Sequence, residues 1–367
     1  MSEKHKNIAL IAMTAVFLCG FLLWSIVKPA DAESVSERRP LAAFPALSAE
    51  SVASGEFMSG FESYALDQFP LRDRFRGLKA YVVFYVLGQK DNNDIYIEDG
   101  YASKLEYPLN TDSVEYAAER FRFVYEKYMA GKDMKVYLSV IPDKNYFMAE
   151  KSGHPAIDYD ALISTMQERM DFAAYLDVTG LLELSDYYRT DTHWRQENIT
   201  DVARYLAAGM GAEVSGDYAV NEVDTPFYGV YYGQSALPLS ADELYYLNSA
   251  YLDECTVYDY ETGGYIPVYD LEKAAGKDPY ELFLSGSLSL LTIENPTATP
   301  DKELIIFRDS FGSSLTPLLA DGYAKVTLID IRYIPSAMLG RLVEFKENQD
   351  VLFIYSTLVL NSSDLLT

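Results

Sequence analysis

Apolar runs of strand length alternate with segments of helical periodicity through much of this chain, and that alternation limits its fold more than any other feature. Asp112 and Glu115 form a capping-box pattern ahead of one helical face, Val114, Ala117, Phe121, Val124 and Tyr128, which stops at Gly131. Val136 to Ile141 then reads as an apolar strand closed by Pro142. A second helix carries Leu162, Ile163, Met166 and Met170, a second strand spans Val178 to Leu184, and a third helix carries Ile199, Val202 and Leu206. Between about Gly211 and Asp301 the pattern gives way to tyrosine-rich segments with one hairpin, Thr256 to Tyr260 and Tyr265 to Tyr269, turning at Thr262-Gly263-Gly264. Strands resume at Leu304 to Phe307, Val326 to Asp330 and Val351 to Tyr355, separated by helices starting near Ser313 and Ser336. The prediction is an α/β fold: a mostly parallel sheet with helices on both faces, interrupted by an insertion at about 211–301 that caps the site.

The N-terminus has a different solvent. Ile8 to Val27 is a run of 20 uncharged residues, long enough to cross a hydrocarbon core about 30 Å thick. Lys4 and Lys6 precede it and the acidic Asp31 and Glu33 follow closely, which predicts Met1 inside and the rest outside. The expectation is a single-pass anchor at the cell membrane. The alternative is a cleaved signal peptide, since Ala30-Asp31-Ala32 has the small-x-small form. Residues 1–32 are therefore assigned to a cytoplasmic tip and anchor, 33–56 to a polar tether, and 57–362 to the folded domain. Within that domain Phe57 to Leu87 reads as two helices broken at Pro70, and Asp94 to Tyr101 as a hairpin at Asp99-Gly100.

Charge narrows the partners. Asp and Glu outnumber Lys and Arg by 55 to 30 among 367 residues, a field that repels phosphate backbones, so no nucleic-acid partner is expected. The 31 tyrosines lean slightly towards sugar binding, because aromatic faces with polar rims hold sugar rings. Cys19 within a membrane span cannot reach Cys255, so the folded part lacks a disulfide, which suits a Gram-positive surface.

Histidine occurs three times, and only His154 and His193 would lie outside. His193 follows the second predicted strand, with Asp191 placed to accept its Nδ1–H and leave Nε2 as a general base. Ser310 follows the strand ending at Phe307 and opens a helix, where a hydroxyl is exposed and helix N–H groups can receive an oxyanion. The simpler alternative makes Ser310 an N-cap and the Asp-His pair a satisfied hydrogen bond. Arg332 and Lys144, each just past a strand end, are candidate oxyanion or substrate contacts, or else ordinary ion pairs. A metal site from Asp191, His193 and Asp309 lacks a third neutral ligand, so neither metal nor cofactor is expected.

Asp191-Thr192-His193-Trp194 with Arg308-Asp309-Ser310-Phe311 resembles the DHHW proteins of Gram-positive bacteria, relatives of the alginate O-acetyltransferases in the SGNH-hydrolase-like superfamily. Asp67-Gln68-Phe69-Pro70-Leu71-Arg72, Asp99-Gly100-Tyr101, Pro142-Asp143-Lys144 and Leu352 to Thr357 resemble further blocks of that family. The chain departs at Arg308, where SGNH hydrolases carry glycine, and at Thr192, where the family name has a second histidine. The resemblance implies a permuted SGNH-like fold and a triad of Asp191, His193 and Ser310. Trp194 and Asn361 join the candidate contacts, with Gly286 and Asn361 guesses for the oxyanion glycine and asparagine. It further implies an acyl transferase or esterase on a cell-surface glycan, with its acyl donor supplied by a multi-spanning membrane acyltransferase. A catalytically silent glycan-binding or envelope-assembly protein of the same fold is the alternative.

Overall fold

The computed structural model describes residues 2–298 and 302–367. Met1, expected inside, and Asp301, the expected end of the insertion, fall outside them. The chain forms two compact units, one of residues 1–93 with 232–238, the other of 94–231 with 239–367.

In the first unit α1 (Glu3–Val27) is a single apolar helix, long enough to span a bilayer, none of whose residues is buried. The stretch read as a tether is instead fastened: β1 (Glu33–Ser34) pairs with β2 (Arg39–Pro40), and Arg39 reaches Asp67 at 2.6 and 2.9 Å. Helices α2 (Ala49–Ser54), α3 (Glu56–Asp67) and α4 (Arg72–Tyr81) follow, with the break at Pro70 as expected from its missing N–H.

The second unit opens with the hairpin of β3 (Ile95–Glu98) and β4 (Tyr101–Lys104), whose turn residues Asp99 and Gly100 both have positive φ, as a tight two-residue turn requires. Then come α5 (Thr111–Tyr128), β5 (Lys135–Ile141), α6 (Lys144–Ser152), α7 (Tyr159–Arg169), β6 (Ala174–Tyr175) and α8 (Thr200–Gly209). β7 (Ala219–Phe227) and β8 (Asp242–Asn248) make a separate antiparallel pair. β9 (Thr256–Asp259), β10 (Gly264–Ile266), β11 (Leu290–Glu294), β12 (Glu303–Arg308), α9 (Phe311–Leu319), β13 (Lys325–Ile329) and β14 (Asp350–Ser356) complete it.

Eight strands form one sheet in the order β10-β9-β11-β13-β12-β14-β5-β6, parallel from β13 to β6 and antiparallel on the other side. Successive residues of β12 point to opposite faces: Leu304 and Ile306 enter one core and Ile305 and Phe307 the other. Burial on both faces explains why these strands read as unbroken apolar runs.

Three expectations need correction. The strand placed at Val178 to Leu184 is absent; the Asp177 carboxylate accepts the Thr179 N–H at 2.9 Å, and that turn leads into two short 3-10 segments. The parallel strand lies earlier, at β6. The cap of α5 is Asn110, whose side chain accepts the Ser113 N–H, not Asp112. The insertion is not separate from the sheet, since β9, β10 and β11 form its antiparallel side.

A candidate active site at the strand C-terminal rim

The C-terminal ends of β12, β14 and β5 share one rim, because the strands are parallel and in register. Buried side chains tie these ends together. Asp309 accepts from Ser356 N at 2.8 Å and Ser356 Oγ at 2.7 Å, bracing β12 to β14. Asp143 accepts from Thr357 Oγ1 at 2.7 Å, bracing β14 to β5, and burial pushes its carboxyl up to about 6 despite that bond.

Ser310 stands at the end of β12, where α9 begins. Its hydroxyl makes no capping bond; Asp309 does that work by accepting the Phe311 N–H at 3.0 Å. The Ser310 Oγ instead lies 2.7 Å from His193 Nε2. His193 Nδ1 is 2.6 Å from Asp191 Oδ1, which also accepts the His193 N–H at 3.1 Å. Asp191 Oδ2 takes the Val230 N–H at 2.9 Å. So Asp191, His193 and Ser310 form one line of hydrogen bonds, with Asp191 and His193 buried and Ser310 partly open. A neutral imidazole held at Nδ1 by a carboxylate has Nε2 free to take a hydroxyl proton.

A folded-back loop, rather than a strand end, carries Asp191 and His193. Tyr187 bridges Trp194, and Tyr188 N–H donates to the His193 carbonyl at 3.0 Å. Asp242 accepts the N–H groups of Arg189 and Thr190 at 2.7 and 2.8 Å and the Thr190 hydroxyl at 2.6 Å. From the other side, buried Lys144 donates to the carbonyls of Tyr188 at 2.8 Å and Arg189 at 3.2 Å. Burial pushes its ammonium down to about 7, against the pull of Asp191, Asp242 and Asp143.

The other sequence candidates fall elsewhere. Lys144 is 1% exposed and bonded within the protein, so it supports the loop and cannot touch a substrate. Trp194 is fully buried, and its indole N–H reaches the Phe311 carbonyl at 3.1 Å and Ser314 Oγ at 2.9 Å, joining the His193 loop to α9. Arg332 is clamped on Asp330 at 2.9 and 2.6 Å; burial draws its pKa down, yet that pair holds it above the ordinary value. Asn361 gives its amide hydrogens to Glu106 at 2.7 Å and the Pro108 carbonyl at 3.2 Å, which rules it out as an oxyanion donor. Gly286, at φ 95°, sits in the loop before β11. The helix N–H groups expected to meet an oxyanion are engaged too: Phe311 and Gly312 donate to Asp309, and Ser313 to the Ser310 carbonyl. What remains there is the positive end of the α9 dipole. Arg308, in the place of the SGNH glycine, is fully buried, 3.7 Å from Asp330.

Two site residues had no signal in the sequence. Tyr280, from the insertion, lies flat on the His193 ring, with centroids 3.8 Å apart and planes 6° apart, and its hydroxyl meets Ser314 Oγ at 2.8 Å. A π face so placed favours a protonated imidazole over a neutral one. Gly229 passes so close to the loop that an added Cβ would sit 2.3 Å from Asp191 Cα. Tyrosine abundance hid the first, and the second depends on a contact between distant segments.

The structure is thus an α/β sheet with a serine, a histidine and an aspartate in line at its parallel rim. No protein-family model matches the sequence, and no curated protein matches it either. Among solved structures, a DHHW family protein from Eubacterium siraeum aligns at 19% identity over 76% of this chain and 97% of that one, with a TM-score of 0.59. Bacillus cereus PatB1 aligns at 16% identity over 74% and 98%, with a TM-score of 0.58; a second structure of it, with a sulfonyl adduct, scores 0.55 over 72% and 97%. The O-acetyltransferase domain of Pseudomonas putida AlgJ aligns more loosely, at 11% identity over 73% and 92%, with a TM-score of 0.45. The chain thus has the fold of the DHHW proteins that its motifs resemble.

Proposed function

We propose that this chain is a membrane-anchored, extracytoplasmic acyltransferase or esterase that moves acyl groups, chiefly acetyl, on a cell-surface glycan. The line of hydrogen bonds from Asp191 through His193 to Ser310 carries this reading. As Ser310 Oγ attacks the donor's acyl carbon, His193 Nε2 takes the hydroxyl proton, and Asp191 steadies the resulting imidazolium. The tetrahedral intermediate collapses, the donor's leaving group departs with the proton from His193, and an acyl ester remains on Ser310. A glycan hydroxyl then gives its proton to His193 and attacks the ester, returning Ser310 to its alcohol. Water in place of the glycan makes the same site an esterase.

The family motifs support this reading, as does the fold shared with PatB1, since a sulfonyl adduct is what a protein nucleophile forms with a sulfonylating reagent. The anchor reading rests on the length of α1 and its flanking charges. The test is hydrolysis of p-nitrophenyl acetate, together with the acetyl content of surface glycans in cells carrying Ser310→Ala. The substitution should cut hydrolysis at least about 10³-fold and leave the circular-dichroism spectrum unchanged. Native-rate hydrolysis by Ser310→Ala would sink the proposal.

A further inference from the structure

The first unit has an apolar surface that neither the anchor nor the site explains. Phe21 lies seven residues before Lys28, the first charge after the span. With α1 crossing a bilayer, its ring is therefore about 10 Å below the outer surface, at 1.5 Å per residue. The rings of Phe69 and Phe75 pack on it, with centroids 5.4 and 5.7 Å away. Groups in such contact share its depth. A second link fixes the same level: the Gln68 amide accepts the Asp31 N–H and donates to the Asp31 carbonyl, both at 2.8 Å, three residues beyond Lys28. The turn between α3 and α4 is thus held at the interface, with Phe69 beneath it.

From this turn the exposed side chains continue apolar: Leu66, Leu71, Leu78, Tyr81, Tyr85, Val86 and Leu87, with Leu78 58% and Val86 67% exposed. Arg72, Arg74, Arg76 and Lys79 outnumber the two acids of the stretch, Asp73 and the Arg39-paired Asp67, in a chain whose net charge is −25. Glu37 pairs with Arg72 and Arg76, so exposed Arg74 and Lys79 are the ones turned to solvent. Local positive charge beside exposed apolar and aromatic groups suits anionic headgroups over acyl chains. Pro70 and these charges keep the stretch from spanning.

We propose that residues 66–87 lie in the outer leaflet as an amphipathic, non-spanning segment, a second membrane contact beside α1. This rests on the reading of α1 as a retained span, and the test separates the two. The full chain is reconstituted in vesicles of phosphatidylcholine and phosphatidylglycerol in equal parts, with or without brominated acyl chains, which quench tryptophan on contact. Trp24 within α1 reports the anchor, and Trp194, buried in the second unit, supplies a constant background. In a Trp24→Phe background, Phe75→Trp and, separately, Leu78→Trp report the segment. Leu78 is exposed, so its replacement spares the packing. Both variants should be quenched to an extent comparable with native Trp24, most strongly by lipids brominated near the headgroup end of the chain. Quenching of Trp24 without quenching of either variant overturns the proposal and leaves the anchor standing; a face covered by a second copy would give that result. Trp24 left unquenched overturns both.

Discussion

Ser310 follows an aspartate that does the capping, and this division of labour decides what the serine can do. The Asp309 carboxylate takes the Phe311 N–H, and the Ser310 hydroxyl lies 2.7 Å from His193 Nε2, where its proton can be directed. Asp191 accepts from both the N–H and Nδ1 of His193 and from the Val230 N–H, so an amide in its place would present a donor to at least one of these groups. Asp191→Asn should keep the fold and lower kcat for ester hydrolysis by about 10³–10⁴-fold, with a smaller effect on KM. Unchanged kcat would remove Asp191 from the mechanism. Lys144 gives a pH-dependent prediction. Its ordinary value of 10.5 is lowered to about 7, so between these the unfolded chain binds a proton that the folded chain does not. Stability therefore rises with pH across that window, by at most about 1.4 kcal/mol per unit, and is flat below it, where both states are protonated. In urea unfolding, the stability of the native chain minus that of Lys144→Met should climb from pH 7 to 9. A difference constant with pH would mean that Lys144 titrates normally.

Among the elements, the loop from Tyr187 to Trp194 is the critical one, because it belongs to neither helix nor strand. Its order comes from buried charges on both sides, Asp242 on its N–H groups and Lys144 on its carbonyls. Gly229 closes over it. Replacing Gly229 by alanine forces the loop and the following helical turn apart, a kind of overpacking that costs about 1–3 kcal/mol. We expect Gly229→Ala to unfold at lower urea and to lose more kcat than its stability loss explains, since the Val230 bond to Asp191 goes with it. Native activity and stability together would show that the loop has room to yield. The parallel strands β5, β12, β13 and β14 were readable from sequence because burial on both faces demands unbroken apolar runs. The missing strand at Val178 to Leu184 has an equally local apolar pattern, but an aspartate turn at its start diverts the chain.

For the whole molecule, the proposed orientation is testable in cells. Protease added to intact protoplasts should remove residues 57–362 and leave a short fragment containing α1, because an uncharged 20-residue run preceded by Lys4 and Lys6 and followed closely by Asp31 and Glu33 is expected to leave the remainder outside. Full protection of the folded domain, with digestion only after lysis, would place it inside and end the glycan proposal.

Sequence alone determined the apolar N-terminal helix, the parallel strands β5, β12, β13 and β14, and the three residues that meet at the rim. Each of these is a local pattern: a long uncharged run, a short apolar run, or a polar motif beside one. Tertiary structure decided the rest. That β9, β10 and β11 of the tyrosine-rich insertion complete the sheet depends on hydrogen bonds from β11 to β13. That Lys144 and Trp194 brace the site rather than line it depends on which groups surround them once the chain is folded. Tyr280 meets His193, and Gly229 meets Asp191, across 87 and 38 residues of chain. Side-chain type and local periodicity carry no record of such meetings, because what selects them is the packing of segments that are neighbours only in space.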